Sequence, residues 1–118
     1  MEDVFDDALK SGEFQLWYQP KVDPVTANIL GAEALIRWKR PDGTMLSPGK
    51  FIPLFEKNGN IITLDEYVFR TVCAQQQRWL QAGATLYPIS VNISRVSLYY
   101  NNVVDKYREI LNSFRLDP

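Results

Sequence analysis

Three polar residues stand in stretches that are otherwise apolar. Glu33 sits between Ala32 and Ala34, Arg37 between Ile36 and Trp38, and Asn92 between Val91 and Ile93. A carboxylate taken out of water is costly unless it is paired or binds a metal. A buried amide needs its hydrogen bonds satisfied. The Glu carboxylate and the Asn amide oxygen are hard donors, suited to Mg²⁺, Mn²⁺ or Ca²⁺ rather than zinc. Arg suits phosphate, because its planar fork can bond two oxygens together. Two ligands do not make a metal cage, so structural readings stay open. An internal Glu33–Arg37 ion pair is one, but four residues along a strand span about 13 Å. Arg37 could instead pair with a carboxylate elsewhere, and Asn92 could bond the loop after its strand.

Composition narrows the chemistry. The chain has 118 residues, 13 Lys+Arg against 14 Asp+Glu, and a formal net charge of −1. That balance argues against a nucleic-acid polymer or an anionic membrane surface as partner. Hydrophobic residues at 46% and charged residues at 23% are ordinary for a globular domain. With no His, the usual triad base and proton shuttle are absent. The single Cys excludes an intramolecular disulfide. Cys73 falls on an apolar helical stripe and reads as core rather than nucleophile. Trp17, Tyr18, Trp38 and Trp79 could stack on bases, but without a basic stripe they read as packing. No apolar run approaches the roughly 18 residues of a membrane span. The acidic start Met1-Glu2-Asp3 lacks a signal-peptide layout, so a cytoplasmic location is expected.

The elements that must position these residues follow from periodicity. Residues 3–10 suit a short helix with Val4, Phe5, Ala8 and Leu9 on one side. Phe14 to Val22 and Leu30 to Trp38 read as strands joined by a turn at Asp23-Pro24, hence an antiparallel hairpin. Alternation puts Glu33, Leu35 and Arg37 on one face and Ala32, Ala34, Ile36 and Trp38 on the other. Arg40-Pro41-Asp42-Gly43 is a turn, with Lys39-Arg40 a solvated strand end. Ser47-Pro48 opens a helix that Asn58-Gly59 closes. Thr63 and Glu66 fit a capping box opening the next helix, with an apolar stripe from Leu64 to Trp79-Leu80 and a stop at Gly83. Leu86 to Ile93 reads as a buried strand. Tyr99 to Phe114 reads as a helix with Tyr100, Val103, Val104, Tyr107, Ile110, Leu111 and Phe114 in a stripe. The order resembles the opening of a parallel α/β architecture.

Five ordered blocks make the chain recognisable: Tyr18-Gln19-Pro20 with Gly31 to Trp38; Ser47-Pro48 with Phe51-Ile52-Pro53; Glu56 and Gly59; Leu64-Asp65; and Ser90 to Ser94. Together they resemble the EAL domain family, specifically its N-terminal half. The resemblance implies a bacterial phosphodiesterase that hydrolyses cyclic di-GMP to linear pGpG. It implies a modified (β/α)₈ TIM-like barrel whose first strand runs antiparallel to its neighbour. It also implies a two-metal site of Mg²⁺ or Mn²⁺. By motif, Glu33 and Asn92 would be metal ligands, and Arg37 would hold a phosphate. Gln19 would contact the dinucleotide near the site mouth, while Leu35 and Pro53 would line its pocket.

Departures temper the expectation. A full barrel takes about 250 residues, and the family's later acidic and Lys motifs do not occur in this sequence. Ser97 stands where the family often has Gln, and Lys21 where an apolar residue is common. Residues 1–118 are therefore expected to be the N-terminal portion of one EAL-type domain without its C-terminal half, an incomplete barrel inactive by itself. A non-catalytic cyclic di-GMP-binding or protein-interaction module is the alternative, and an assembly element is a third reading. An open sheet edge invites self-association. Sensor or GGDEF domains are the expected neighbours in a longer parent chain.

Overall fold

The computed structural model describes residues 2–84, 87–99 and 103–114. Helix α1 (Glu2–Lys10) leads into strands β1 (Phe14–Val22) and β2 (Ile29–Lys39). These pair antiparallel from Phe14↔Trp38 to Val22↔Ile29, as their alternation implied. At the turn between them, the Asp23 carboxylate accepts N–H bonds from Val25 (2.8 Å) and Thr26 (3.2 Å). Such a local cap is why Asp favours turns.

Cross-strand register sorts the side chains by face. Phe14, Leu16, Ala34, Ile36 and Trp38 share the face that meets the helices. Gln15, Trp17, Gln19, Lys21, Glu33, Leu35 and Arg37 share the other. Phe5 and Ala8 of α1 and Phe51 and Phe55 of the following helix join Phe14 and Trp38 in one buried cluster. Its rings lie close, with Phe14 stacked on Trp38 at 4.9 Å and Phe5 edge-on to Phe55 at 4.9 Å. Each fully buried Phe contributes about 1.5–3 kcal/mol, so this cluster anchors β1, β2 and the first two major helices. Of the four apolar residues expected on one side of the leading helix, Val4 is instead 37% exposed.

The turn at 40–43 closes a second hairpin not foreseen from sequence. Strand β3 (Met45–Leu46) pairs antiparallel with the end of β2. Arg40 is not merely solvated: it pairs with Glu13 at 3.2 Å and lies over the Trp38 ring. Glu13 also accepts the Trp38 indole N–H at 3.0 Å.

Helix α2 (Pro48–Asn58) begins with Pro at its first turn and ends at Gly59, φ 85°. Ser47 precedes it but makes no side-chain cap bond. Helix α3 (Asn60–Gln81) starts earlier than the Thr63–Glu66 capping box implied. The left-handed Gly59 reverses the chain in one residue, and Asn58 Oδ1 accepts the Asn60 N–H at 3.0 Å. Helix therefore begins at once, and Thr63 falls inside it. Leu64, Val68, Val72 and Cys73 are buried on its inner side, whereas Leu80 is 52% exposed. Tyr18 and Trp79 pack edge-on at 5.8 Å, leaving Trp17 as the exposed indole.

The strand expected over Leu86–Ile93 is short: β4 is Ile89–Ser90, parallel to β2. Residues 85 and 86 lie outside the described set. Pro88 has no N–H to offer a ladder, though its carbonyl accepts the Ala32 N–H at 3.0 Å. Beyond Ser90 the chain leaves the sheet, so Val91 and Ile93 are half-buried and Asn92, expected in a buried strand, is exposed. A short helix, α4 (Arg95–Leu98), follows, and then α5 (Val103–Ser113). The expected helix over Tyr99–Phe114 is thus entered later, with Tyr100 outside the described residues. Ile110 is buried and Tyr107 stacks on Phe69 at 4.6 Å, but Val104 is 65% exposed.

Gly31 lets β4 approach. A Cβ there would meet the Pro88 carbonyl oxygen at 2.6 Å. Gly31→Ala should therefore push β4 from β2 and cost about 1–3 kcal/mol, as overpacking does. Urea denaturation measures this; an unchanged midpoint would contradict the close approach.

Candidate functional site

The β1–β2 register places Gln19 directly opposite Glu33, with Leu35 and Arg37 further along the same face. Glu33, Leu35 and Arg37 are half-buried, and Gln19 is exposed. The Arg37 guanidinium lies over the Trp17 ring, 5.6 Å from its centroid, and Nη1 donates to the Ile36 carbonyl at 2.9 Å. Among the described residues Arg37 has no carboxylate partner. One of its five donors is thus engaged, and a cation–π contact steadies the fork.

Asn92 reaches the same face from the segment after β4. Its Nδ2 donates to Glu33 Oε2 at 3.2 Å across 59 positions of sequence. Ser90 sits opposite Glu33 in the parallel register and accepts a bond from Lys21 Nζ at 3.0 Å. Lys21, an unexpected residue by resemblance, therefore ties β1 to β4 across β2.

The segment carrying Asn92 is held from below by α2 and α3. Ser94 N–H donates to Asp65 Oδ2 at 2.9 Å, and Ser97 Oγ donates to the same oxygen at 2.6 Å. Ser94 Oγ donates to Glu56 Oε2 at 2.6 Å and caps α4 by accepting the Val96 N–H. Glu56, Asp65 and Ser94 belong to the recognised blocks, yet sequence reasoning gave them no role. The signal available was the polar Asp65 within the apolar stripe of α3.

A cavity of about 440 Å³ opens between the Ala34–Ile36 stretch of β2, the helices α2 and α3, and residues 92–94. Leu35, Pro53 and Asn92 line it, whereas Gln19, Glu33 and Arg37 do not. Pro53 thus lies on the helix side of β2, Gln19, Glu33 and Arg37 on the opposite face, and Leu35, which shares that face by register, joins the two together with Asn92. The cavity volume lies within the range of small-molecule sites.

Burial raises the Asp65 carboxyl above its ordinary range, and the Glu56 charge adds to this; the bonds from Ser97 and Ser94 oppose it. The folded protein then binds a proton more readily than the unfolded chain. Asp65 should make stability fall as pH rises from the ordinary Asp value through the raised one. Thermal melts across that window should show a shallower decline for Asp65→Asn than for the wild type. Parallel profiles would contradict the shift. Burial likewise pushes up the thiol of Cys73, a core residue as expected. It also pushes up the Tyr107 hydroxyl, helped by Asp65 and Glu66.

Glu33 and Asn92 fit a hard divalent cation in donor type and proximity. Turning the Asn92 amide over exchanges Nδ2 for Oδ1 and presents an oxygen beside the carboxylate. They supply a partial shell: among the described residues no three His, Cys, Asp or Glu side chains gather where they could hold a metal ion.

Comparison with known proteins agrees with the fold and the blocks. Residues 2–118 match the EAL domain family. The chain is 37% identical over 111 residues to the bifunctional diguanylate cyclase/cyclic di-GMP phosphodiesterase MucR of Pseudomonas aeruginosa, covering 94% of itself and 16% of that protein. It is 32% identical over 112 residues to the probable cyclic di-GMP phosphodiesterase PdeB of Escherichia coli, covering 95% of itself and 22% of that protein. It superposes on the MucR phosphodiesterase in complex with c-di-GMP with a TM-score of 0.90 at 35% identity, covering 99% of itself and 47% of that chain. The FimX EAL domain of Pseudomonas aeruginosa shares the fold, with a TM-score of 0.84 at 20% identity over 99% of this chain and 46% of that one. The hairpin-led sheet and its helices are thus part of a TIM-like barrel, and the chain belongs to the EAL domain family.

Proposed function

We propose that this chain forms the N-terminal portion of a cyclic di-GMP phosphodiesterase domain and carries one side of its site. The observation that carries this is the Glu33–Asn92 contact at 3.2 Å on the face that also bears Arg37 and Gln19. Glu33 and Asn92 would hold Mg²⁺ or Mn²⁺, which supplies charge neutralisation and an activated water for hydrolysis of the diester to pGpG. Arg37 would bind a phosphate of the dinucleotide through its remaining N–H donors. Gln19 would contact the ligand at the rim of the β1–β2 face. Leu35 and Pro53 would bound the nucleotide on the cavity side.

The site is one-sided. The chain spans under half of the superposed phosphodiesterase and a fifth or so of the relatives it matches. Two oxygen donors fall short of the six a Mg²⁺ ion takes. The chain alone would therefore bind the dinucleotide without cleaving it, and the rest of a complete EAL domain would supply the missing donors. GGDEF or sensor domains in a cytoplasmic parent suit this family reading, and the outer edge of β1 would let the isolated chain self-associate. No described helix is long and apolar enough to cross a membrane.

A hydrolysis assay tests the reading. Protein carrying this chain within a complete EAL domain should release pGpG only with Mg²⁺ or Mn²⁺, and the 118-residue chain should release none. Turnover without divalent metal, or no turnover by the complete domain, would contradict it.

A further inference from the structure

We infer that Asp65, together with Ser97, is a positioning residue for Asn92. Its functional weight rests on the metal role proposed for Asn92, but the contact it controls does not. Asp65 and Ser97 are the buried polar residues of the described structure, at 7% and 2% exposure. An ionisable carboxylate in the apolar stripe of a helix carries a desolvation cost. Here its Oδ2 accepts two bonds, and both come from the segment that follows Asn92.

That segment has no strand ladder to place it, and besides these bonds Val96 packs against the core. Regular pairing with β2 ends at Ser90, and residues 91–94 belong to no strand or helix. The 22-residue α3 is the rigid body beneath it. Through Ser94 N–H, Asp65 holds the backbone two residues from Asn92. Through Ser97 Oγ it holds the first turn of α4, and Glu56 holds the Ser94 hydroxyl from α2. The Asn92 amide is thereby delivered to Glu33. Ser97 occurs where the family resemblance expected Gln, so the short hydroxyl bond to Asp65 belongs to this chain's own version of the loop.

The test is the side-chain amide signal of Asn92 in the ¹H–¹⁵N spectrum of the chain. Glu33→Ala marks the position of that signal when the acceptor is lost. In Asp65→Asn a neutral amide oxygen replaces the carboxylate oxygen that accepts both bonds, so both weaken and the signal should move towards the Glu33→Ala position. Ser97→Ala removes one of the two bonds and should move it the same way by less. A role in overall stability alone leaves the signal in place well below the melting temperature. A folded Asp65→Asn or Ser97→Ala with the Asn92 signal at its wild-type position would overturn the inference. If Asp65→Asn does not fold, Ser97→Ala decides.

Mn²⁺ titration separates this from the proposed function. Affinity should fall about 10- to 100-fold in Asp65→Asn, the range for losing a group that supports a ligand. Moved signals in a chain that binds no Mn²⁺ would leave the positioning role standing and remove the metal role of Asn92.

Discussion

Glu33→Ala, in a protein that carries this chain within a complete EAL domain, is expected to abolish metal-dependent release of pGpG. The substitution removes the carboxylate that accepts from Asn92 and would bind the cation directly. Loss of a residue that merely supports a ligand costs about 10- to 100-fold, so loss of the ligand itself should exceed that range. Glu33→Gln separates charge from shape. It keeps an oxygen opposite Asn92 and fits the same half-buried position on β2. If charge is what holds the cation, Glu33→Gln should be nearly as inactive as Glu33→Ala while melting near the wild-type temperature. Full activity in either variant would show that Glu33 is a structural partner of Asn92 and nothing more.

Arg37→Ala is expected to weaken cyclic di-GMP binding with little change in folding. Hydrogen bonds to charged groups contribute about 1.5–3 kcal/mol, which corresponds to roughly 10- to 100-fold in affinity. The guanidinium has no carboxylate partner among the described residues, so its removal leaves no buried charge behind. It rests on Trp17 and the Ile36 carbonyl, which fix where the fork points. Arg37→Lys should recover only part of the loss, because a point charge replaces a planar pair of donors. Titration of each variant at constant Mg²⁺ gives the comparison. Equal affinity for wild type and Arg37→Ala would remove Arg37 from the phosphate site.

The β1–β2 hairpin was legible because alternation over nine and eleven residues leaves one register that buries Phe14, Ala34 and Trp38 together. That register also put Glu33 and Arg37 on one face before any contact was known. The start of α3 was misread because Thr63 and Glu66 satisfy a local capping rule. Left-handed Gly59, with Asn58 Oδ1 accepting the Asn60 N–H, starts the helix four residues earlier. The strand around Asn92 was overextended for a related reason. An apolar run resembles a buried strand wherever it lies, while pairing depends on what backbone stands beside it. Val104 and Leu80 repeat the lesson on helices, since a 3.6-residue period marks a face without saying how far its cover extends.

The site was legible to a different degree. Residue chemistry marked Glu33, Arg37 and Asn92 as misplaced in apolar strands, but their roles came only with the family resemblance. Of the network of Glu56, Asp65, Ser94 and Ser97, the sequence marks only Asp65, as a polar residue in the apolar stripe of α3. The network's hydrogen bonds span 29 to 38 positions and form through packing of α2, α3 and the segment after β4.

The central claim is that this chain carries the phosphate-binding, metal-dependent side of a cyclic di-GMP site. Calorimetric titration of the 118-residue chain with cyclic di-GMP, with and without Mg²⁺, tests it most directly. The account predicts saturable heat near one ligand per chain, with affinity stronger with Mg²⁺ and weakened roughly 10- to 100-fold in Arg37→Ala. No heat in either condition, or heat that Arg37→Ala leaves unchanged, would contradict it.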